Sequence, residues 1–343
     1  MEKVFLLLGL LIVNISCSQE KNDNMTYENV EVFIKENGDL KDFTIIDDRL
    51  YILTYKSTYV YSEPKDRYVE TDGKIKLFRK EIDKSYGESD FLAEINGITS
   101  AKFYPQKVNT SIYFFTNDSY YRVSNTLYKY SSGVITKLFE HENNIVWYSA
   151  EQSLFYDGYC LYKVQGNEKI RLTEKSTNSS YQLFGEKIYK LSEKGGITQL
   201  EELEASLETK KIIFSTDKKL NLDFRISDSE TFYFLQGTTE SKINLVQYRK
   251  NSFTTLMNNI DNISDDGFYI YKDLIGLITY KVDENMLGGF GGTRKSVIYS
   301  KDGGKIFNEL NLKKETLIPP YLFYKDSLFV GNLGNGILIK SKL

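Results

Sequence analysis

Side chains able to carry group chemistry are scarce in this 343-residue chain, and their scarcity limits what it can catalyse. His141 is the single histidine, in Phe139-Glu140-His141-Glu142-Asn143-Asn144, a stretch that reads as a polar turn. Any Ser-His-Asp relay would have to pass through it, and no G-x-S-x-G elbow accompanies it. Zinc needs several His or Cys ligands, and the chain holds one His and two Cys. Of the two thiols, Cys160 lies in the aromatic run 155–162 and reads as a buried small hydrophobe rather than a nucleophile. Asp261-Asn262-Ile263-Ser264-Asp265-Asp266-Gly267 offers oxygen ligands, but it lacks the closing Glu of a calcium loop and reads as a polar turn. Gly288-Gly289-Phe290-Gly291-Gly292-Thr293-Arg294 is not a G-x-G-x-x-G phosphate loop, and no helical pattern follows it. Four glycines around one ring make Phe290, with Arg294, the candidate binding loop; a long hairpin connection is the plainer reading. No catalytic residue, metal ligand or cofactor is assigned.

The elements that would position such residues read as strands. Tyr 27 and Phe 21 stand against one Trp and four Pro, a composition suited to aromatic pairs across pleated neighbours. The hydrophobic share of 41% supplies a core. A net charge of −3 with no sustained basic stripe argues against nucleic acid as a partner. Lys210-Lys211 and Lys218-Lys219 sit among acids and read as solvated surface.

One phrase recurs seven times: turn or charged residues, then a short apolar and aromatic run. It occupies Asp47–Leu53, Thr110–Phe115, Glu151–Tyr156, Gly185–Leu191, Glu230–Leu235, Asp265–Ile270 and Lys325–Val330. Each reads as a turn entering a strand. Spacings of about 30 to 60 residues fit a radial array of small four-stranded sheets, each sheltered by its neighbours. The expectation is an all-β propeller over 28–343 with six to eight blades, seven favoured; a two-domain β-sandwich is the alternative. One short helix is expected over 198–207, where Leu200, Leu203 and Leu207 fall at helical spacing.

Near the C-terminus, Ser300-Lys301-Asp302-Gly303-Gly304-Lys305-Ile306-Phe307 resembles the Asp-box, or BNR repeat, Ser-x-Asp-x-Gly-x-Thr-Trp. Ser300, Asp302 and Gly304 match; Ile306 stands in place of Thr and Phe307 in place of Trp. The physical logic is local: Asp302 can accept hydrogen bonds from its own loop's amides, and a glycine supplies positive φ. The resemblance implies a structural element on a propeller rim, not a catalytic site. The hairpin over 327–341 is similar to the closing blade of propellers related to photosystem assembly factors and sortilins. Sialidases also carry Asp-boxes, and Asp223-Phe224-Arg225-Ile226-Ser227 is faintly similar to their Phe-Arg-Ile-Pro signature. The Pro is missing and the position is late in the chain, so Arg225 reads as an ordinary strand-edge arginine.

At the start of the chain, a basic residue and the apolar run 4–13 precede Ser16-Cys17. This is the pattern of a cleaved leader, too short to span a bilayer. Ser16-Cys17 resembles the lipobox of bacterial lipoproteins of a Bacteroidetes-like kind, with Asn14 where Leu is usual. The resemblance implies cleavage after residue 16, acyl chains on Cys17, a flexible tether over 17–27 and a place on the outer membrane. The expectation is therefore a lipid-anchored envelope protein, a non-enzymatic binding or scaffold module for a protein or glycan. A sialidase-like glycan hydrolase is the alternative.

Overall fold

A computed structural model describes residues 30–35, 39–62, 67–82, 89–96, 100–108, 111–117, 125–166, 168–204, 206–238, 242–260, 262–282, 293–310, 321–332 and 337–343. These residues form 28 strands and no helix. The first strand, β1 (Val30–Lys35), is set aside by the chain and used last. Blade 1 follows as β2 (Asp39–Ile46), β3 (Arg49–Ser62), β4 (Arg67–Glu81) and β5 (Asp90–Asn96). Blade 2 is β6 (Ser100–Val108), β7 (Ser111–Asn117), β8 (Asn125–Ser131) and β9 (Val134–His141). Blade 3 is β10 (Trp147–Ser149), β11 (Leu154–Tyr156), β12 (Leu161–Gln165) and β13 (Glu168–Arg171). Blade 4 is β14 (Ser179–Phe184), β15 (Lys187–Lys194), β16 (Ile197–Leu203) and β17 (Thr209–Thr216). Blade 5 is β18 (Leu220–Asp228), β19 (Thr231–Gly237), β20 (Ile243–Arg249) and β21 (Ser252–Ile260). Blade 6 is β22 (Asn262–Tyr271), β23 (Leu274–Val282), β24 (Thr293–Ser300) and β25 (Asn308–Leu310). Blade 7 has β26 (Tyr321–Tyr324), β27 (Ser327–Asn332) and β28 (Ile337–Lys342), completed by β1 at its outer edge.

Every sheet is antiparallel, and the first strand of one blade lies beside the first strand of the next around most of the ring. Seven hydrophobic clusters hold the blades together, one at each interface. Blades 1 and 2 share Leu53, Leu77 and Phe114; blades 2 and 3 share Leu127, Phe139 and Phe155. Blades 3 and 4 meet through Leu161, Tyr181 and Leu203, blades 4 and 5 through Tyr189, Leu200 and Phe232. Blades 5 and 6 meet through Tyr233, Leu245 and Ile275, blades 6 and 7 through Ile278, Val297 and Phe323. The seventh cluster joins Phe329 of blade 7 to Leu50 and Ile52 of blade 1. An open row of seven sheets would have six interfaces. The seventh closes a seven-bladed propeller, and the two-sandwich alternative falls.

The packing explains why a strand such as β19 is apolar at successive positions. A strand sends alternate residues to opposite faces, and a blade between two neighbours buries both. In β19, Phe232 and Phe234 enter the core with blade 4, while Tyr233 and Leu235 enter the core with blade 6. Each fully buried ring of this kind contributes about 1.5–3 kcal/mol of burial energy.

At the closure, β1 pairs with β28 from Val30↔Ser341 to Lys35↔Ile337. Polar contacts reinforce the seam. Tyr324 Oη at the end of β26 and Lys325 Nζ in the turn after it both donate to Asp48 Oδ1 in the turn after β2, at 2.7 and 2.6 Å. Lys301 Nζ donates to the Leu343 carbonyl at 2.8 Å and pairs with Asp326 at 3.3 Å.

Two expectations are corrected. The helix over 198–207 is the strand β16 followed by a turn. Leu200 faces the core with blade 5 and Leu203 the core with blade 3, so a three-residue spacing serves two opposite faces rather than one helical stripe. His141 is not in a polar turn: it ends β9 and is 6% exposed. Six of the seven recurrent phrases enter the second strand of a blade; the sixth, Asp265–Ile270, lies within the first strand, β22. Blade 6 makes its corresponding entry at Lys272-Asp273, ahead of β23.

Candidate functional site

In each antiparallel blade, the turns after the first and third strands emerge on one face of the ring. Between blades 5 and 6 these turns enclose a cleft of about 460 Å³. Blade 5 supplies Ser227 and Asp228 from the end of β18 and Thr231 and Tyr233 from the start of β19. It also supplies Gln247 and Arg249 from β20 and Leu256 from β21. The register places Thr231 opposite Arg249 and Tyr233 opposite Gln247, so the four share one face of the sheet. Blade 6 contributes two turns, Lys272-Asp273 and Asp302–Lys305. Beneath them lies the core shared by the two blades.

The second of these turns is built as the sequence logic requires. Ser300, fully buried at the end of β24, donates from Oγ to Asp302 Oδ1 at 2.7 Å and accepts the Gly304 amide at 2.9 Å. Asp302 Oδ1 also accepts the amides of Lys305 and Ile306, each at 3.0 Å. The Ile306 amide and then the Ser300 hydroxyl hold the Asp302 carboxyl below the usual carboxylate range. Gly303 and Gly304 take φ of 73° and 92°, where L-residues are strained. Gly303 also donates its amide to the Asp273 carbonyl at 2.9 Å, locking the two blade 6 turns together. Phe307 packs against the core shared with blade 5, and Ile306 is left 63% exposed.

The polar groups of the cleft are partly engaged within the protein. Gln247 Nε2 donates to Tyr233 Oη at 2.9 Å. Thr231 is 2% exposed and its hydroxyl has no partner among the described residues. Asp228 Oδ1 accepts the Glu230 amide at 2.8 Å, which shapes the turn into β19.

The other sequence candidates lie elsewhere. Arg225 donates from Nε to the Phe268 carbonyl at 3.1 Å, and its guanidinium stacks on the Phe268 ring at 5.2 Å. Its Nη1 bonds Asp223 and the Phe224 carbonyl, so the side chain ties blade 5 to blade 6. His141 Nε2 donates to Asp157 Oδ2 at 2.9 Å, between the rings of Phe155 and Tyr162. Asp157 also accepts Asn143 Nδ2 and the amides of Tyr159 and Cys160. Burial alone would raise the Asp157 pKa; His141, Asn143 and the two amides outweigh it and hold the group far below the usual range. The cluster binds the end of blade 2 to the β11–β12 turn of blade 3. Cys160, 2% exposed, is buried in that turn as expected.

Among the described residues no three His, Cys, Asp or Glu side chains converge as a metal site. Cys17, Phe290 and Asp261 lie outside the described residues. Of Arg294 and of Asp265-Asp266 the backbone is described, as part of β24 and β22, and the side chains are not.

Sequence reasoning reached Asp302 and Gly304 in this cleft but missed Ser227, Asp228, Thr231, Tyr233, Gln247, Arg249, Lys272, Asp273 and Lys305. A signal was present. The recurrent phrase marks where six of the seven second strands begin, blade 6 excepted, and the turns that open those strands emerge on the cleft's face.

No protein-family profile and no curated protein sequence matches the chain. Solved structures do match in shape. A prolyl endopeptidase superposes with a TM-score of 0.56 at 10% identity, over 88% of this chain and 46% of that one. The uncharacterised protein lmo1340 of Listeria monocytogenes gives 0.53 at 10% identity, over 89% and 93% of the two chains. The Cps50 (Swd1) β-propeller domain of Myceliophteria thermophila gives 0.50 at 11% identity, over 92% and 100%. The chain thus spans about half the length of the peptidase it resembles. At such identities the likeness shows the fold alone.

Proposed function

We propose that this chain is a non-enzymatic binding or scaffold module of the cell envelope, which offers the cleft between blades 5 and 6 to a protein or glycan ligand. The observation that carries the reading is that cleft: two blades' turns enclose a concavity lined by polar and charged side chains, above the apolar core that the two blades share. A propeller suits such a role because its cores fix the strands while its turns are free to vary. The residues that catalysis would have recruited are otherwise engaged. Arg225 and His141 each join neighbouring blades. The turn over 300–307 is read as an Asp-box-like element that shapes one wall of the cleft. The anchor belongs to the same reading, with Cys17 acylated and residues 17–27 as tether.

The test uses residues 28–343, wild type beside Ser227→Trp, against panels of glycans and purified envelope proteins. Binders of the wild type are expected to weaken by at least about tenfold in the variant, with an unchanged melting temperature. If the variant melts early, Lys305→Trp at an exposed turn replaces it. Binding unaffected by either substitution would place the ligand elsewhere, and turnover of a glycan by the wild type would replace the reading with a hydrolase. For the anchor, Cys17→Ala is expected to release the full-length chain from the membrane fraction. Retention in that fraction would sink this half of the proposal.

A further inference from the structure

We infer that the blade 5–blade 6 cleft takes an acidic saccharide, a sugar ring bearing a carboxylate; this rests on the binding reading above and names its ligand class. Arg249, Lys272 and Lys305 border the cleft, and none forms an ion pair among the described residues. The closest partner of Lys272 is the Tyr271 ring, 5.4 Å from Nζ. Other lysines on the same face are neutralised: Lys325 by Asp48 and Lys301 by Asp326. Three cations left open around one concavity call for an anion, because a neutral ligand would strip their water without replacing it.

The remaining lining selects among anions. Asp228 and Asp273 line the same cleft as the cations, together with Ser227, Thr231 and Gln247. Asp302 is already engaged by Ser300 and by the amides of Lys305 and Ile306. Tyr233, 2% exposed, accepts from Gln247 Nε2 and so fixes that amide at the cleft wall. A bare phosphate or carboxylate would answer the cations and be repelled by the aspartates. Sugar hydroxyls both donate and accept, and a ring carrying several of them can donate to the exposed Asp228 and Asp273 while accepting from the bordering cations. An acidic peptide fits less well. Peptide recognition leans on apolar anchors, and apart from Tyr233 the lining offers one apolar side chain, Leu256. The volume of about 460 Å³ falls within the range of small-ligand sites. Arg249 is placed to receive the carboxylate, since its planar fork matches two oxygens at once.

The experiment prints oligosaccharides bearing uronate or sialate residues beside their carboxyl-reduced forms and a set of acidic peptides. Wild type, Arg249→Ala, Lys272→Ala and, as control, Arg171→Ala on the outer strand β13 are applied. The expected result is binding to acidic sugars that carboxyl reduction abolishes. Arg249→Ala should weaken it on the order of tenfold, Lys272→Ala less, and Arg171→Ala not at all. Binding that survives reduction but is lost with Ser227→Trp overturns the acidic assignment and leaves the cleft as the site. Binding to peptides alone, or to no spot, overturns the saccharide assignment. Acidic-sugar binding indifferent to every cleft variant overturns both this inference and the reading beneath it.

Discussion

Gly304 carries the most exacting constraint at the cleft. Its φ is 92°, and a Cβ there would lie 2.7 Å from Leu256 Cδ1 and 3.2 Å from Ile275 Cδ1. Gly304→Ala is therefore expected to destabilise by about 1–2 kcal/mol, lowering the melting temperature by about 2–4 °C per kcal/mol. A melt equal to wild type would contradict the assigned backbone. A second residue-scale prediction concerns Asp157. Its folded pKa lies below the unfolded value, so its stabilisation is complete above about pH 5 and drains away as the pH falls. Asp157→Asn should lose stability at pH 7, and its stability should fall less steeply than the wild type's as the pH drops from 5 to 2. Denaturant midpoints across that range check it; parallel curves would refute it. His141→Ala, which leaves the buried carboxylate short of one donor, should lose about 1–3 kcal/mol at pH 7. Neither residue's role could be read from sequence. Asp157 and His141 are 16 positions apart on neighbouring blades, and only the packing of blade 2 on blade 3 brings them together. The Asp302 turn was legible because the hydrogen bonds of its Ser300 and Asp302 side chains are local.

Among elements, β1 stands out because it completes a sheet begun some 290 residues later. Deleting residues 30–35 leaves blade 7 with three strands and an unpaired β28 edge, at a loss of several ladder hydrogen bonds of about 1 kcal/mol each. Relative to a chain starting at residue 28, the melting temperature should fall on the order of 10 °C. A chain without β1 that melts at the same temperature would show that the seam is not closed by this strand. Six of the seven second strands were legible in sequence because each follows a sharp turn and is buried on both faces. β16 was not: Leu200, Leu203 and Leu207 fall at helical spacing, with Glu201 and Glu202 between the first two. In the sheet both carboxylates are answered across neighbouring strands, Glu201 by Lys190 and Thr209, Glu202 by Lys187 and Lys210. Pairing of that kind joins separate strands and leaves no mark on local periodicity.

For the whole molecule, seven cores around a closed ring mean that no blade can leave without exposing two apolar faces. Unfolding should accordingly be a single transition, with far-ultraviolet circular dichroism and tyrosine fluorescence changing at the same denaturant concentration. Separate transitions would argue for independent halves. The central claim, that the ring presents one binding cleft between blades 5 and 6, is tested most directly by hydrogen–deuterium exchange with and without the saccharide identified on the array. The account predicts added protection in residues 227–233, 247–249, 272–273 and 302–305. Protection confined to the opposite face, at turns such as 157–160 or 195–196, would contradict it.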